Sequence, residues 1–143
     1  MSLFDGLAIA GSGMAAQRFR MNTIASNLAN ARTTRTPAGG PYRRMDPVFV
    51  AAPVEQDDPF AETLDAVLRG VQVAGVVRDP GPFQLVYDPG HPDADANGYV
   101  RMPNVQVVEE MVNLVTASRS FEANVQTFQT LRDMMLRAIE IGR

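Results

Sequence analysis

Residues 3–30 contain no proline, and within them Leu7, Met14, Met21 and Leu28 recur at every seventh position. Leu3, Ala10, Gln17 and Ile24 interleave with them. Such 4-3 spacing, with one polar interruption, is the pattern of a helix that packs along its whole length. Gly11 and Gly13 each cost that helix roughly 1 kcal/mol relative to alanine, so they make sense where a second helix must approach closely. The far end of the chain repeats the pattern. Val107, Met111, Leu114, Phe121, Val125, Phe128, Met135 and Ile139 keep the 4-3 spacing, with Ser118 and Arg132 as polar exceptions. Asn104, after Pro103, is the expected N-cap, with Glu109 and Glu110 near the positive end of the dipole and Arg132, Arg137 and Arg143 toward the other end. A helix over 105–142 would run ~57 Å at ~1.5 Å per residue, longer than one small core can cover.

The middle has a different grammar. Residues 31–103 are rich in proline, glycine and β-branched side chains, and they predict short strands at 47–51, 71–77, 83–87 and 99–102. Asp-Pro-Gly triplets at 79–81 and 88–90 supply turns between them. Residues 52–66, with Glu55, Asp57, Asp58 and Glu62, read as an acidic excursion. The expected fold is α+β. Long N- and C-terminal helices pair as a coiled coil (1–31 plus 104–143), and 32–103 form a small β-rich domain with loops.

Composition narrows the function. The 143 residues suffice for one domain, and 13 basic against 16 acidic residues give a net charge of −3, without the basic excess of a general nucleic-acid binder. Arg32, Arg35, Arg43 and Arg44 cluster, but among threonine, proline and glycine, and read as a solvated loop. There is no cysteine and His91 is the single histidine, so thiolate chemistry, a histidine-based triad and a multi-histidine zinc site are excluded. No P-loop or GxGxxG is present, and Gly11-Ser12-Gly13 lacks the spacing of a nucleophile elbow. No enzyme and no cofactor is expected. No run of about 18 apolar residues exists to span a bilayer. The opening MSLFDGLAIAGSGMAAQ carries Asp5 and no basic residue ahead of its apolar stretch, so a cleaved secretory signal is not expected.

One motif suggests a metal. Asp93, Asp95, Asn97 and Gly98 fit the first half of an EF-hand calcium loop. The ninth position is Arg101, however, and the twelfth, where a bidentate glutamate belongs, is Asn104. Pro89, Gly90 and Pro92 also leave no room for an entering helix. The alternative is a tight turn folded by Asp93, Asp95 and Asn97, with Gly98 at a positive φ ahead of the strand.

The same residues carry a resemblance. YDPGHPDADANGYVRMPNVQVVEEMVNLVTASRSFEANVQTFQTLRDMM, IAGSGMAAQRFRMNTIASNLANARTT and GGPYRR together resemble the flagellar basal-body rod family. Ser26-Asn27-Leu28-Ala29-Asn30-Ala31 marks the wider group of rod, hook and hook-associated proteins, whereas 98–105, GYVRMPNV, points to its proximal-rod branch. The resemblance covers nearly the whole chain and is least over 52–70. It implies a non-enzymatic subunit of the rod that crosses the periplasm, assembling helically with other copies and other rod proteins into a drive shaft. It also implies delivery by the flagellar type III export apparatus. On that view Leu7, Met14, Met21, Ile24, Leu28, Met111, Leu114, Phe121, Val125, Phe128, Met135 and Ile139 serve helix packing and assembly. Asn22, Asn27, Asn30, Asn113 and Asn124 are candidates for fixing register, as a buried asparagine does in coiled coils. The competing readings are a calcium-responsive module around 93–104, another axial rod paralogue, or a coiled-coil adaptor with a different partner.

Overall fold

The computed structural model describes residues 3–53 and 68–142. Its elements are α1 (Leu3–Ala29), β1 (Met45–Pro53), β2 (Arg69–Arg78), β3 (Gln84–Tyr87), β4 (Tyr99–Met102) and α2 (Val107–Ile141). The class is α+β, and each strand lies within two residues of its expected bounds. Most of the acidic excursion, from 54 onward, falls outside the described residues.

The strands form two separate antiparallel pairs. β1 and β2 pair from Met45↔Arg78 to Pro53↔Arg69, with a register shift after Val48↔Gly75 that leaves Ala74 without a partner. β3 and β4 pair from Gln84↔Met102 to Tyr87↔Tyr99. Tyr87 and Tyr99 meet edge to face at that end, with ring centroids 5.3 Å apart.

The two helices lie against each other and run antiparallel. A Cβ added at Gly6 would stand 3.0 Å from Leu131 Cδ1, and one at Gly13 would stand 3.0 Å from Asn124 Nδ2. Near the other end, Asn27 of α1 hydrogen-bonds Glu110 of α2. Seven steps along α1 therefore match seven steps back along α2, so the contact keeps a heptad step. On α2 its face holds Glu110 and Ala117, both fully buried, and then Asn124 and Leu131. Half-buried Leu114, Phe121, Phe128 and Met135 alternate with them.

Half of the spacing read in the sequence shares this face, with Ala10 and Ile24 buried and Leu114, Phe121, Phe128 and Met135 half-buried, and the other half is shifted by one residue. On α1 the contact uses Gly6, Gly13 and Asn27, each one position before Leu7, Met14 and Leu28. On α2 it uses Glu110, Ala117, Asn124 and Leu131, each one before Met111, Ser118, Val125 and Arg132. The physical reason is that glycine and alanine let the backbones approach, while the large apolar residues pack at the flanks of the contact.

The β1–β2 hairpin lies along α1. Met45, at the start of β1, is held by Asn27, and Val71, near the start of β2, donates its N–H to Ser12 Oγ at 3.0 Å. The start of α2 corrects an expectation. Gln106, not Asn104, is the N-cap, and it makes no side-chain capping bond. Asn104 Oδ1 instead accepts the Arg44 N–H at 2.9 Å, and its Nδ2 donates to Asp79 O at 3.4 Å. The amide that would have capped the helix ties β1 to the end of β2.

Candidate functional site

A buried polar junction forms where α1 ends, β1 begins and α2 begins. Asn27 has no solvent exposure and all its amide capacity is used. Its Nδ2 donates to Met45 O at 2.8 Å and to Glu110 Oε2 at 2.9 Å. Its Oδ1 accepts from Tyr42 Oη at 2.9 Å and from Met45 N at 3.0 Å. Glu110, equally buried, accepts Arg44 Nε on its other oxygen at 2.7 Å. Arg44 reaches on to Asp46 at 3.3 Å and to Asp79 at 4.0 Å. Burial lowers the Arg44 pKa, but the hydrogen bond and charge of Glu110, with those of Asp46, outweigh it and hold the guanidinium above its ordinary value. Every polar side-chain atom of Asn27 and Glu110 is partnered, the condition under which a buried charge is tolerated.

Two of the arginines read as a solvated loop, Arg43 and Arg44, are instead structural, while the Arg35 side chain is 79% exposed. Arg44 belongs to this junction. Arg43 donates to Asp79 O at 2.9 Å and to Gly81 O at 3.1 Å while stacking 4.3 Å over the Phe83 ring. Arg35 pairs with Asp93 at 2.6 Å. Arg32 is exposed and makes no side-chain hydrogen bond or ion pair with a described residue. The sequence alone does not single out Glu110, because its place in the first turn of α2 suits a dipole role equally well. The available signal was its spacing: 110, 114, 117, 121, 124, 128, 131 and 135 form one continuous 4-3 series.

The turn at 93–98 is built from backbone amides. Asp95 Oδ1 accepts the N–H groups of Asn97 and Tyr99, both at 2.9 Å. Gly98 N donates to Asp95 O at 2.9 Å, and Gly98 has φ 81°. A Cβ there would press within 2.9 Å of Tyr87, so glycine is required twice over. Asp93 corrects its expected role in the turn. Its carboxylate accepts Thr34 Oγ1 at 2.8 Å besides Arg35, and so docks the turn onto the segment after α1. Among the described residues no three His, Asp or Glu side chains converge as metal ligands.

The remaining candidates distribute as follows. Ile24 is buried and Leu7, Met14, Met21, Leu28, Leu114, Phe121, Val125, Phe128 and Met135 are half-buried, while Met111 and Ile139 are 54% and 63% exposed in the single chain. Asn124 faces Gly13, and Asn30 closes α1 by bonding Ser26 O and Thr33 Oγ1. Asn113 is half-buried and Asn22 is exposed. Apolar surface is left open at both ends of α2. Val108 (76%), Met111, Val112 and Val115 stand out near its start, and Leu136, Ile139 and Ile141 (87%) near its end. In the observed register Leu3 lies level with Met134, so the last turns of α2 run past the start of α1. Among the described residues no helix is long and apolar enough to cross a membrane.

Comparison with known proteins matches these same segments. The Flagella basal body rod protein family model matches residues 7–35, and the Flagellar basal body rod FlgEFG protein C-terminal model matches residues 96–141. The Flagellar basal-body rod protein FlgC of Salmonella typhimurium is 47% identical over the whole of both chains. That of Borreliella burgdorferi is 42% identical over 99% of this chain and 98% of its own. That of Bacillus subtilis is 38% identical over the whole of both. Asn27, Glu110 and the α2 face sit within the segments that the two family models match, and the chain belongs to the FlgC family of flagellar basal-body rod proteins.

Proposed function

We propose that this structural subunit of the basal-body rod is laid down in repeated copies beside other rod proteins, building by helical assembly the shaft that carries torque across the periplasm. In this reading α1 and α2, with 1–31 and 104–143, form a coiled-coil inner layer, and 32–103 form a β-rich outer part. The chain reaches the rod through the flagellar type III apparatus. The observation that carries the reading is the open apolar surface at both ends of α2, set beside a polar junction that is fully satisfied within one chain. A monomer with its polar groups paired and its apolar faces uncovered has surface to give to neighbours. A repeated heterologous contact whose rotation does not close produces a filament. The calcium reading is not favoured, because Asp93 is committed to Arg35 and Thr34, and Asp95 to the turn amides.

The test uses exposed positions, so that folding and assembly separate. Val112→Asp and Ile139→Asp leave the intrachain contact alone and should hold stability within about 0.5 kcal/mol. Both should abolish incorporation into isolated basal bodies and swimming, while the variant chains are still exported. Normal incorporation of both variants would show that α2 does not meet its neighbours through these ends.

A further inference from the structure

Next to the base of the β1–β2 hairpin is a cleft of about 600 Å³ that shares only Tyr42 and Met45 with the junction. Arg43, Arg78 and Arg101 converge on it, with Phe83, Pro37 and Pro41 as apolar wall and rim. Arg43 is spent on backbone carbonyls and on Phe83, whereas exposed Arg78 and Arg101 make no ion pair with a described residue. Asp93 and Asp95 line an adjoining cleft with Arg101, but Asp93 is held by Arg35 and Asp95 by the turn amides. The cleft is a cationic surface with an apolar floor, a chemistry that fits an acidic peptide with interspersed apolar residues.

The chain itself contains one such segment. Residues 54–67, VEQDDPFAETLDAV, hold five carboxylates (Glu55, Asp57, Asp58, Glu62 and Asp65) and no basic residue. With 13 basic and 16 acidic residues in the whole, the rest of the chain has 13 against 11 and is net positive. Covalent reach decides whose cleft is available. The segment joins Pro53 to Leu68 at the hairpin end where Pro53 pairs with Arg69, whereas the cleft lies at the end where Met45 pairs with Arg78. Eight residues of strand put those ends ~26 Å apart at ~3.3 Å per residue. The segment's acidic residues farthest from the anchors, Asp58 and Glu62, are five and six residues from Pro53 and Leu68 and extend at most ~18 Å and ~22 Å. Its acidic residues cannot fill the cleft of their own chain.

We propose that the Arg43–Arg78–Arg101 cleft receives the acidic 54–67 segment of a second copy, and so clamps neighbouring subunits together through their outer parts. The proposal rests on the reading that the chain is assembled in repeated copies. Held side by side, copies present the segment at an effective concentration in the millimolar range, about the level at which a weak charged contact is occupied.

The test is read on the isolated full-length protein, so it does not depend on rod assembly. A fluorescein-labelled peptide of residues 54–67 should bind saturably by anisotropy and weaken as salt is raised. Arg78→Glu/Arg101→Glu should bind it at least about tenfold more weakly, with an unchanged circular dichroism spectrum. The same variant should instead bind a peptide in which the five acids are replaced by arginine. Equal binding of a peptide with those acids replaced by their amides, undiminished binding by the double variant, or no binding at all would overturn the proposal. Failure here leaves the α2 contacts untouched. Failure of Val112→Asp and Ile139→Asp to block incorporation would count against the rod contacts and not against the cleft.

Discussion

Asn27 and Gln17 carry the same amide group on the same helix, ten residues apart. Asn27 makes four hydrogen bonds with no solvent exposure, whereas the buried Oε1 of Gln17 has no partner. The difference lies in what arrives at each position. At Asn27 the β1 backbone offers the N–H and C=O of Met45, and α2 offers Glu110. Among the described residues no donor reaches Gln17 Oε1. A heptad pattern by itself fits almost as well if one helix slides by seven residues, since every register then offers similar apolar neighbours. The junction does not slide. A seven-residue slip would bring Ala117 to Asn27 and leave Glu110 buried without its donor, at a cost of several kcal/mol. Register is therefore specified at one end of the hairpin, and the rest of the seam supplies area.

The strongest way to break this comparison is to reverse one hydrogen bond. Asn27→Asp replaces the Nδ2 donor with an oxygen about as far from Glu110 Oε2 as the 2.9 Å now spanned by a hydrogen bond. Two buried carboxylates would then face each other, and the loss should be ~3–5 kcal/mol in urea unfolding. Adding Glu110→Gln restores a donor on the opposite side and keeps an oxygen for Arg44, so the double variant should recover part of that loss. If the double variant were as unstable as the sum of its singles, Asn27 and Glu110 would not act as a pair.

What the sequence disclosed follows the same division. Helix existence, strand positions and the Asp95–Gly98 turn were legible because each is written locally: period, β-branching, or one carboxylate beside one glycine. The contact face was legible only to within one residue. The rule of choosing large apolar residues selected Leu7, Met14, Met111 and Val125, whereas the contact uses Gly6, Gly13, Glu110 and Asn124. The junction was not legible, because the hydrogen bonds that Asn27 and Glu110 make across it span 15 to 83 residues and each member has a local alternative. Asn104 passes for a cap, Glu110 for a dipole residue and Arg44 for a loop charge. Only the tertiary fold decides between a residue's local use and its distant one.

Closer contact can be tested at the glycine that permits it. Gly13→Leu would drive a side chain into Asn124, whose atoms lie 3.0–3.1 Å from the Cβ position. A loss of ~1–3 kcal/mol is expected, read as a lower midpoint in thermal or urea unfolding. Stability unchanged by this substitution would mean that α1 and α2 do not approach at Gly13.

The unsatisfied amide predicts a change of opposite sign. Gln17→Leu removes a buried acceptor that nothing bonds and should stabilise the monomer by ~1–2 kcal/mol. Asn27→Leu, the same substitution at the satisfied position, should destabilise. Matching signs at the two sites would remove the contrast on which the register argument stands.

The smallest effect is expected at Gly11, where the comparison passes from the chain to its surroundings. A Cβ at Gly11 meets nothing within 4 Å, unlike one at Gly13. Within the single chain glycine therefore has no packing reason to be there, and Gly11→Ala should gain up to ~1 kcal/mol from helix propensity alone. If copies pack through the outer face of α1, the added methyl would meet a neighbouring subunit, and swimming should fall although the purified variant is more stable. That pairing of outcomes, a higher unfolding midpoint with weaker motility, would locate the close approach between subunits. A stable variant that swims normally would confine close helix approach to the Gly6 and Gly13 side, within one chain.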